Sequence, residues 1–386
     1  MCAKNKSSID INRKILIELF KIKKIWRKLM KKFLPLFAIL SVVSLVSCGE
    51  SQNEEEKPTP AETDEIDPNK KYDDTDLLST KLSNDKPFEI KGDYVYFGEY
   101  PQTVKKENVT IDETDSKVIK NGDEDAFTCF KGSDGYYYAK VKSHTYNNNK
   151  YNFQDGQELI TNTEYYFQVL PLKWRILSKD FNKDGNDGDY LLLTDRIVDS
   201  YAFTKQENYD SSTFLMTKPG VPEGTYANNY EYSDLRVYCN NFFYNAAFSD
   251  TQRALIEDTT YKNDKSTTKA AGRDKDTVTT CQDLTDKVFI LSYEECHKEE
   301  YGFDKVGKYG DAERQLYCSD LSKANGNDIW PRDDYFYGMG IRWQRSAYPN
   351  SNEHAGRNSS HGYTYFYDNA YKDNGGVAPS IVLKVK

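Results

Sequence analysis

The residues of this sequence that are best suited to binding a ligand are concentrated between positions 330 and 368. This segment is denser in aromatic residues and arginine than any other part of the chain. Flat rings with polar tips give contact area to a sugar ring or a protein at a low cost in conformational entropy. The residues that we expect to form this ligand-binding face are Trp330, Arg332, Tyr337, Trp343, Arg345, Tyr363 and Tyr365.

Two structural explanations compete with a ligand-binding role for these residues. The chain contains 31 tyrosines, so tyrosine-rich strands are also a way of filling and covering its sheets. A strand over 363–367 would nevertheless place its alternate tyrosines on one face. Arg345 lies among apolar neighbours, as do Arg175 and Arg236, and such a setting favours buried arginine–carboxylate pairs over ligand contacts.

A second candidate site is the segment 180–185, which begins like the calcium-binding loop of an EF-hand. In such a loop a glycine makes the turn, and a glutamate at the twelfth position completes the oxygen ligands. We expect Asp180, Asn182 and Asp184 to supply the oxygen ligands of a calcium ion, and we expect no other cofactor. The twelfth position is Leu191, however, so a turn rich in Asp and Asn between two strands is the competing interpretation.

Few residues of the sequence are typical of catalysis. The four histidines are His144, His297, His354 and His361, and the last two lack the spacing of a helical metal-binding pair. No common nucleophile, zinc-protease, phosphate-binding or dinucleotide-binding motif occurs. A pair of carboxylates that cleaves a glycosidic bond is defined by its separation in space, which the sequence does not reveal. We therefore expect no catalytic residue, and we favour a binding protein over an enzyme.

The most definite single residue is Cys48, which ends an uncharged apolar run over residues 33–47. The run is too short to cross a bilayer comfortably, because a spanning helix needs about 20 apolar residues. Residues 45–48, Leu-Val-Ser-Cys, resemble the lipobox of bacterial lipoproteins, and this resemblance implies cleavage before Cys48 and acylation of its thiol. The alternative is a signal-anchor helix whose cysteine is incidental. We expect residues 30–47 to be a signal peptide.

Residues 1–29 fit badly ahead of a signal peptide, because they carry many basic residues around an apolar patch. We interpret them as a doubtful upstream extension and Met30 as the start. The alternative is a basic amphipathic segment at the cytoplasmic membrane face. Residues 48–90 are acidic and nearly free of apolar side chains, and we expect them to form a disordered tether.

The chain has a formal net charge of −9 at pH 7, and its first 47 residues are predominantly basic, so the remainder is strongly acidic. Such a body does not bind nucleic acid or an anionic bilayer through a basic surface. Attachment to the membrane is therefore expected through the lipid on Cys48. The cysteines of the body have irregular spacing, which favours buried thiols over a disulfide framework or a zinc site: Cys129, Cys239, Cys281, Cys296 and Cys318.

Residues 91–386 are long enough to form one domain with a large core. Their pattern predicts helices that begin after Ser233, Ser249 and Ser292, each a favourable N-cap residue. Strands are predicted on both sides of these helices, which indicates an α+β fold, mostly antiparallel β with a few short central helices. The predicted strands cover 94–100, ended by Pro101, a hairpin over 128–131 and 136–141, 165–178 with an interruption at Pro171, 190–194, 286–291 and 376–385.

These pieces together resemble a bacterial family known as domain of unknown function 6273. The chain departs from the family pattern at Tyr238-Cys239, where Trp-Leu is usual, at Gln344 and at Ala378. The family has no agreed activity, so the resemblance implies a fold and a setting only. Its late Trp/Arg/Gly pattern resembles that of C-type-lectin-like domains, a fold that does not determine function. The matching pieces are 97–103, 174–177, 191–195, Tyr230, Ser233, 235–236, 243–249, 286–295, 376–377 and Pro379.

The sequence therefore predicts a lipid-anchored protein at the extracytoplasmic face of the cell membrane. We expect its body to be a ligand-binding or adhesion module whose partner is a glycan or a surface protein, and we expect no nucleic-acid partner. The main alternative is an extracytoplasmic enzyme that acts on envelope glycans. A role in protein interaction alone is a third interpretation.

Overall fold

The computed structural model describes residues 74–122, 124–146, 151–263, 282–305, 311–330, 336–348, 351–364 and 366–386. All of them belong to the compact unit Glu65–Lys386. The predictions for Cys48, for the signal peptide and for the upstream extension lie outside the described residues. The same holds for Cys281, Arg332 and Tyr365.

The described strands fall on both sides of a helical middle region. In chain order they are β1 (Phe88–Lys91), β2 (Tyr94–Val104), β3 (Ile111–Asn121), β4 (Glu124–Gly132), β5 (Tyr137–Lys142), β6 (Tyr151–Asn152), β7 (Glu158–Leu159), β8 (Glu164–Ser178), β9 (Asp189–Thr194), β10 (Arg196–Ile197), β11 (Asp199–Ser200), β12 (Thr259–Tyr261), β13 (Leu284–Asp286), β14 (Tyr317–Cys318), β15 (Arg342–Ala347), β16 (His354–Asn358), β17 (Phe366–Asn369), β18 (Gly376–Val377) and β19 (Ser380–Lys384).

These strands form two main sheets. The larger has the order β1-β2-β8-β5-β4-β3, and β9 extends it by pairing with both β8 and β19. The second has the order β11-β18-β15-β16-β17, and β6–β7, β10–β14 and β12–β13 form small pairs. Among the described strands, pairing is antiparallel except between β10 and β14 and between β15 and β18. Together with the short helices, this arrangement confirms the predicted α+β class with mostly antiparallel sheets.

The described helices are short. They are α1 (Thr75–Ser79), α2 (Asp234–Val237), α3 (Tyr244–Ala247), α4 (Asp250–Arg253) and α5 (Asp320–Ala324). A π-helical segment, Tyr238–Phe243, joins α2 to α3. Single 3₁₀ turns cover Gln206–Asn208, Tyr230–Tyr232, Glu295–His297, Glu299–Tyr301 and Ala312–Arg314.

Two of the three predicted helix starts are confirmed, at Ser233 and Ser249. At Ser292 the capping hydrogen bonds are present, but the predicted helix is only the single 3₁₀ turn Glu295–His297. The Ser233 hydroxyl accepts a hydrogen bond from the Arg236 N–H and begins α2. Ser249 and Gln252 form a reciprocal capping box at α4. Ser292 accepts from the Glu295 N–H while the Glu295 carboxylate accepts from the Ser292 N–H, 2.8 Å away. Each cap satisfies backbone groups that a helix start would otherwise leave without a partner.

Two prolines that were expected to interrupt strands lie inside continuous ones. Pro101 pairs with Val169, and Pro171 pairs with Glu99, so β2 and β8 run through both positions. The buried Gln102 explains why: its side-chain NH₂ donates to the carbonyls of Leu170 and Pro171, at 3.0 Å each. Bulges in β2 on either side of this region also relax the ladder, as a strand proline requires. The predicted end at Pro101 is therefore wrong.

Two predicted strands near the second half of the chain are shorter than expected. In the segment 286–291, only the β13 end is a strand, and Val288, Ile290 and Leu291 are buried in an extended stretch outside it. Phe289 still forms a bridge to Ser380. The segment 376–385 divides into β18 and β19, which belong to different sheets, because Ala378 and Pro379 intervene.

The folded body begins before the predicted boundary, at a segment that we call the N-terminal strap, residues 74–87. Leu77 is buried against Tyr96 and Leu170 of the larger sheet. The Asp74 carboxylate forms an ion pair with the buried Arg196 and accepts a hydrogen bond from the Thr103 hydroxyl. The prediction of a disordered tether is therefore wrong from residue 74 to residue 90, because one leucine and one buried ion pair dock an otherwise polar stretch.

The prediction that the cysteines of the body are buried thiols is confirmed for four of them. Cys129, Cys239, Cys296 and Cys318 are buried and free. Burial raises the pKa of the Cys129 thiol to about 11 and that of Cys318 to about 12, so both stay protonated and behave as small apolar residues. Within the described residues, no helix has the length and apolar character that a membrane crossing requires.

Replacement of Leu77 by alanine tests whether the strap belongs to the folded body. A fully buried leucine leaves a cavity, so Leu77→Ala is expected to lower the free energy of unfolding by about 2–4 kcal/mol. Urea denaturation measures this change. The matched control is Val118→Ala on β3, where the side chain is 42% exposed and a change below about 0.5 kcal/mol is expected. Equal stability of the two variants would mean that the strap is not docked.

Candidate functional site

Aromatic side chains from two distant parts of the sequence meet at the surface around His361. The His361 ring centroid lies 4.2 Å from that of Trp330 and 4.3 Å from that of Phe336. Tyr337 and Tyr363, which flank these rings in sequence, are 37% and 36% exposed. We call Trp330, Phe336, Tyr337, His361 and Tyr363 the His361 cluster. Trp330 of the predicted ligand-binding face thus packs with Phe336 and His361, and Tyr337 and Tyr363 are exposed at positions next to these rings in sequence.

Two backbone turns position the His361 cluster. The Trp330 N–H donates to the Met339 carbonyl at 2.8 Å, and the Met339 N–H donates to the Phe336 carbonyl at 3.0 Å, which closes a turn over residues 336–339. The second turn runs from Ser359 to Tyr363 and places Gly362 at φ +74°, a conformation that favours glycine. A Cβ atom at Gly362 would also collide with the backbone of Asp311. The turn that carries His361 and Tyr363 therefore requires glycine at position 362, where any larger residue would clash.

The turn at Gly362 also corrects a predicted strand. Tyr363 lies in this turn, and its carbonyl accepts a hydrogen bond from the Ser359 N–H, whereas β17 begins only at Phe366. The prediction of one strand over 363–367 with its tyrosines on a single face is therefore wrong for Tyr363. Tyr363 reaches the surface from a turn beside His361.

A separate aromatic group, the Tyr367 stack, lies at the edge of the second sheet and comprises Tyr348, His354 and Tyr367. The rings of Tyr348 and Tyr367 are nearly parallel, with centroids 3.8 Å apart, and His354 meets Tyr367 edge-on at 5.1 Å. Tyr367 is 40% exposed. Its face is already covered by Tyr348, so it offers less open ring surface than the two tyrosines of the His361 cluster.

Trp343 and Arg345, two residues of the predicted ligand-binding face, are in the interior, where a ligand does not reach them. All six residues of β15 are buried, because this strand is central in its sheet. The Trp343 indole N–H donates to the Tyr201 carbonyl at 2.7 Å, and the Arg357 guanidinium lies 3.9 Å from its ring centroid. The expectation that Trp343 contacts a ligand is therefore corrected: its ring fills the core.

Arg345 is held by backbone carbonyls and one carboxylate. Its guanidinium donates to the carbonyls of Ile290 and Lys262, at 2.8 Å each, and to Glu295 Oε1 at 2.9 Å. Burial by itself raises the pKa of the Glu295 carboxyl, but the adjacent Arg345 charge and its hydrogen bonds outweigh burial and hold that pKa below its usual value. Arg345 therefore joins β15 to two loops, and its role is structural.

The other two arginines that lie among apolar neighbours also form ion pairs. The predicted buried pair is confirmed at Arg236 but not at Arg175, because the Glu313 side chain is 50% exposed. Arg236 makes a bidentate pair with Asp286, with Nε 2.9 Å from Oδ2 and Nη2 2.9 Å from Oδ1. Arg175 pairs with the Glu313 carboxylate. The planar, bidentate contact of Arg236 is the geometry in which arginine stabilises a fold.

The loop that begins at Asp180 is organised by its own hydrogen bonds. The two Asp180 carboxylate oxygens accept from the N–H groups of Asp184 and Gly185. Asn182 donates to the Asp189 carboxylate at 2.6 Å. This is the geometry of an Asx-rich turn. Within the described ranges, no group of three or more His, Cys, Asp or Glu side chains is placed to hold a metal ion. Calcium binding at Asp180, Asn182 and Asp184 stays a prediction.

One histidine has the hydrogen-bond geometry of a general base but lacks access to a substrate. His297 contacts the Tyr293 carbonyl through Nδ1 at 2.6 Å and the Thr364 hydroxyl through Nε2 at 2.9 Å. Burial lowers the His297 pKa, which favours the neutral ring. Thr364 is buried, however, so its hydroxyl serves the fold.

The sequence missed the central position of His361 and Phe336 in the surface cluster. Both lie in the aromatic segment, but their contact depends on the turns at Met339 and Gly362, and no residue spacing encodes that contact. Gly362 was the available signal, since a glycine next to a histidine in a Ser-rich stretch is typical of a tight turn.

Comparison with known proteins gives one match. The family model described as domain of unknown function (DUF6273) matches residues 187–385. The pieces 97–103 and 174–177 that contributed to the resemblance lie before this range. Neither a curated protein nor a solved structure matches the chain. The matched range begins beside β9, whose partner strand β8 precedes it, so the larger sheet includes strands outside the family match.

Parallel substitutions separate the buried and exposed residues of the predicted ligand-binding face. Arg345→Ala is expected to lower the free energy of unfolding by about 3–5 kcal/mol, because it leaves the buried Glu295 charge without its partner. Tyr337→Ala is expected to change it by less than about 0.5 kcal/mol, since the ring is exposed. Chemical denaturation of both variants provides the measurement. Comparable destabilisation by the two changes would contradict this assignment.

Proposed function

The chain belongs to the DUF6273 family, and we propose that it is a lipid-anchored ligand-binding module at the extracytoplasmic face of the cell membrane. The observation that carries the binding role is the His361 cluster, in which Trp330, Phe336 and His361 pack together and Tyr337 and Tyr363, next to them in sequence, are exposed. Rings that are fixed from behind and open in front lose little conformational entropy when a ligand stacks on them.

A glycan is the ligand class that this surface fits best. Sugar rings present flat C–H faces that stack on aromatic rings, and their hydroxyls pair with polar tips such as the phenol of tyrosine. A surface protein is the second class, because exposed tyrosines are also frequent in protein hot spots. We propose a C-type-lectin-like fold for the body on the strength of its late Trp/Arg/Gly pattern, and this fold is compatible with both ligand classes.

The position of the body outside the cytoplasm is supported by the apolar run that ends at Cys48. A single acyl chain binds a membrane only marginally, whereas a diacylglycerated cysteine carries at least two chains. The acidic composition of the rest of the chain gives no basic surface for an anionic bilayer. The lipid is therefore the attachment that this proposal requires.

Loss of the Cys48 thiol tests the anchor. Metabolic labelling with a palmitate analogue is expected to tag the parent protein and not Cys48→Ala, and the variant is expected to leave the membrane fraction. Cys2→Ala is the matched control and is expected to keep both the label and the membrane association. A Cys48→Ala protein that stays labelled would contradict lipid attachment at this residue.

Glycan-array binding with the unlipidated Cys48→Ser chain tests the ligand-binding role. Removal of both exposed rings in Tyr337→Ala/Tyr363→Ala is expected to weaken binding by about thirty-fold, because each stacked ring contributes about 1 kcal/mol. Tyr367→Ala removes a ring of similar exposure elsewhere and is the control. Equal losses in both proteins, or binding that is unchanged by the double substitution, would contradict the proposal. Release of shortened saccharides would instead identify an enzyme.

A further inference from the structure

A groove remote in sequence from the His361 cluster has the form of a docking site. It has a volume of about 840 Å³ and lies between the end of β2, the β6–β7 hairpin and the start of β8. Its exposed apolar side chain is Ile160, whereas Val104 and Tyr165 in its lining are buried, with 3% and 7% of their surface exposed. Tyr165 is fixed in place because its hydroxyl accepts the Ile160 N–H at 2.9 Å and its ring packs edge-on against Phe153.

Ile160 is the observation that points to a partner. Its side chain is 55% exposed, and no other exposed large hydrophobic residue in the described part of the chain reaches that fraction. An apolar side chain that is held in a groove with a polar rim is typical of an interaction site.

The rim of the groove determines the charge of that partner. Glu107, Asp155, Glu158 and Glu164 line it. Glu164 pairs with Lys140 at 3.3 Å, whereas Glu107, Asp155 and Glu158 form no ion pair with the described residues. The Asp155 carboxylate accepts a hydrogen bond from the Gln157 N–H.

The single lysine in the lining does not neutralise these carboxylates. The Lys105 ammonium group donates to the carbonyls of Lys106 and Val109, at 3.1 and 2.8 Å. The groove thus combines the exposed Ile160 side chain with three rim carboxylates, those of Glu107, Asp155 and Glu158, that have no ion-pair partner among the described residues. A cationic partner gains electrostatically on docking, since opposite charges at a rim steer association and determine register.

We propose that this groove docks an extended, lysine- or arginine-rich segment of another protein. An apolar side chain of the segment packs on Ile160, and flanking cationic side chains pair with Glu107 and Glu158. This interaction is separate from the glycan binding proposed above, because it uses different residues and depends on charge pairing in place of stacking on aromatic rings.

Fluorescence anisotropy with the full chain tests the proposal, with a labelled synthetic peptide of alternating lysine and leucine as the probe. Saturable binding at one site is expected, and it should weaken as salt rises from about 0.05 M to about 0.5 M, because exposed ion pairs are screened. Glu107→Gln/Glu158→Gln is expected to weaken binding about five-fold through the loss of two exposed charge pairs. Ile160→Ser is expected to weaken it without changing the salt dependence.

The control Glu207→Gln/Glu223→Gln removes two exposed carboxylates elsewhere on the chain, so its net charge equals that of Glu107→Gln/Glu158→Gln. Its binding is expected to match that of the parent. Equal loss in the control would show an effect of net charge alone and overturn the proposal, as would equal binding of a glutamate–leucine peptide. Calcium binding that is lost in Glu107→Gln/Glu158→Gln would make the groove a metal site and overturn it too. Tyr337→Ala/Tyr363→Ala is expected to bind the peptide as tightly as the parent does. Failure of the peptide-docking proposal can therefore be distinguished from failure of the glycan-binding proposal.

Discussion

The buried carboxylate of Asp199 is the point at which the main parts of the body meet. It forms no ion pair with the described residues, so hydrogen-bond donors must replace the water that it loses on folding. The hydroxyls of Tyr238 and Tyr100 donate to Oδ2 at 2.6 and 3.1 Å, and Asn325 and the Ser200 N–H donate to Oδ1. Burial raises the Asp199 pKa, although each of these donors opposes that change. Because the donors come from the larger sheet, the π-helical segment and the end of α5, this one group joins both sheets to the helical region.

The same demand for internal partners decides which residues remain available for recognition. The guanidinium of Arg345 and the indole of Trp343 are engaged by carbonyls and a carboxylate inside the second sheet. Side chains that form these buried hydrogen bonds are not exposed to a ligand, even when their chemistry is suited to binding one. Recognition is therefore left to turns outside the strands of that sheet, where Tyr337 and Tyr363 are exposed to solvent.

Local features of the fold were predictable, and those that depend on tertiary partners were not. The N-caps at Ser233 and Ser249 are encoded within one turn of helix, and the pattern placed both correctly. The passage of β2 and β8 through prolines depends on the side chain of Gln102, which no strand rule anticipates. The strap was missed because its docking rests mainly on Leu77. The aromatic segment was correctly identified as unusual, but its division into buried and exposed residues follows from the central position of β15.

The central claim is that the His361 cluster is the ligand-binding surface of this DUF6273 body. A crystal structure of the unlipidated chain with the glycan that binds it most tightly tests this claim directly. The account predicts a sugar ring stacked within about 4 Å of the Tyr337 or Tyr363 ring, the distance of ordinary apolar contact. A sugar bound away from both rings, with the His361 cluster left open, would contradict it.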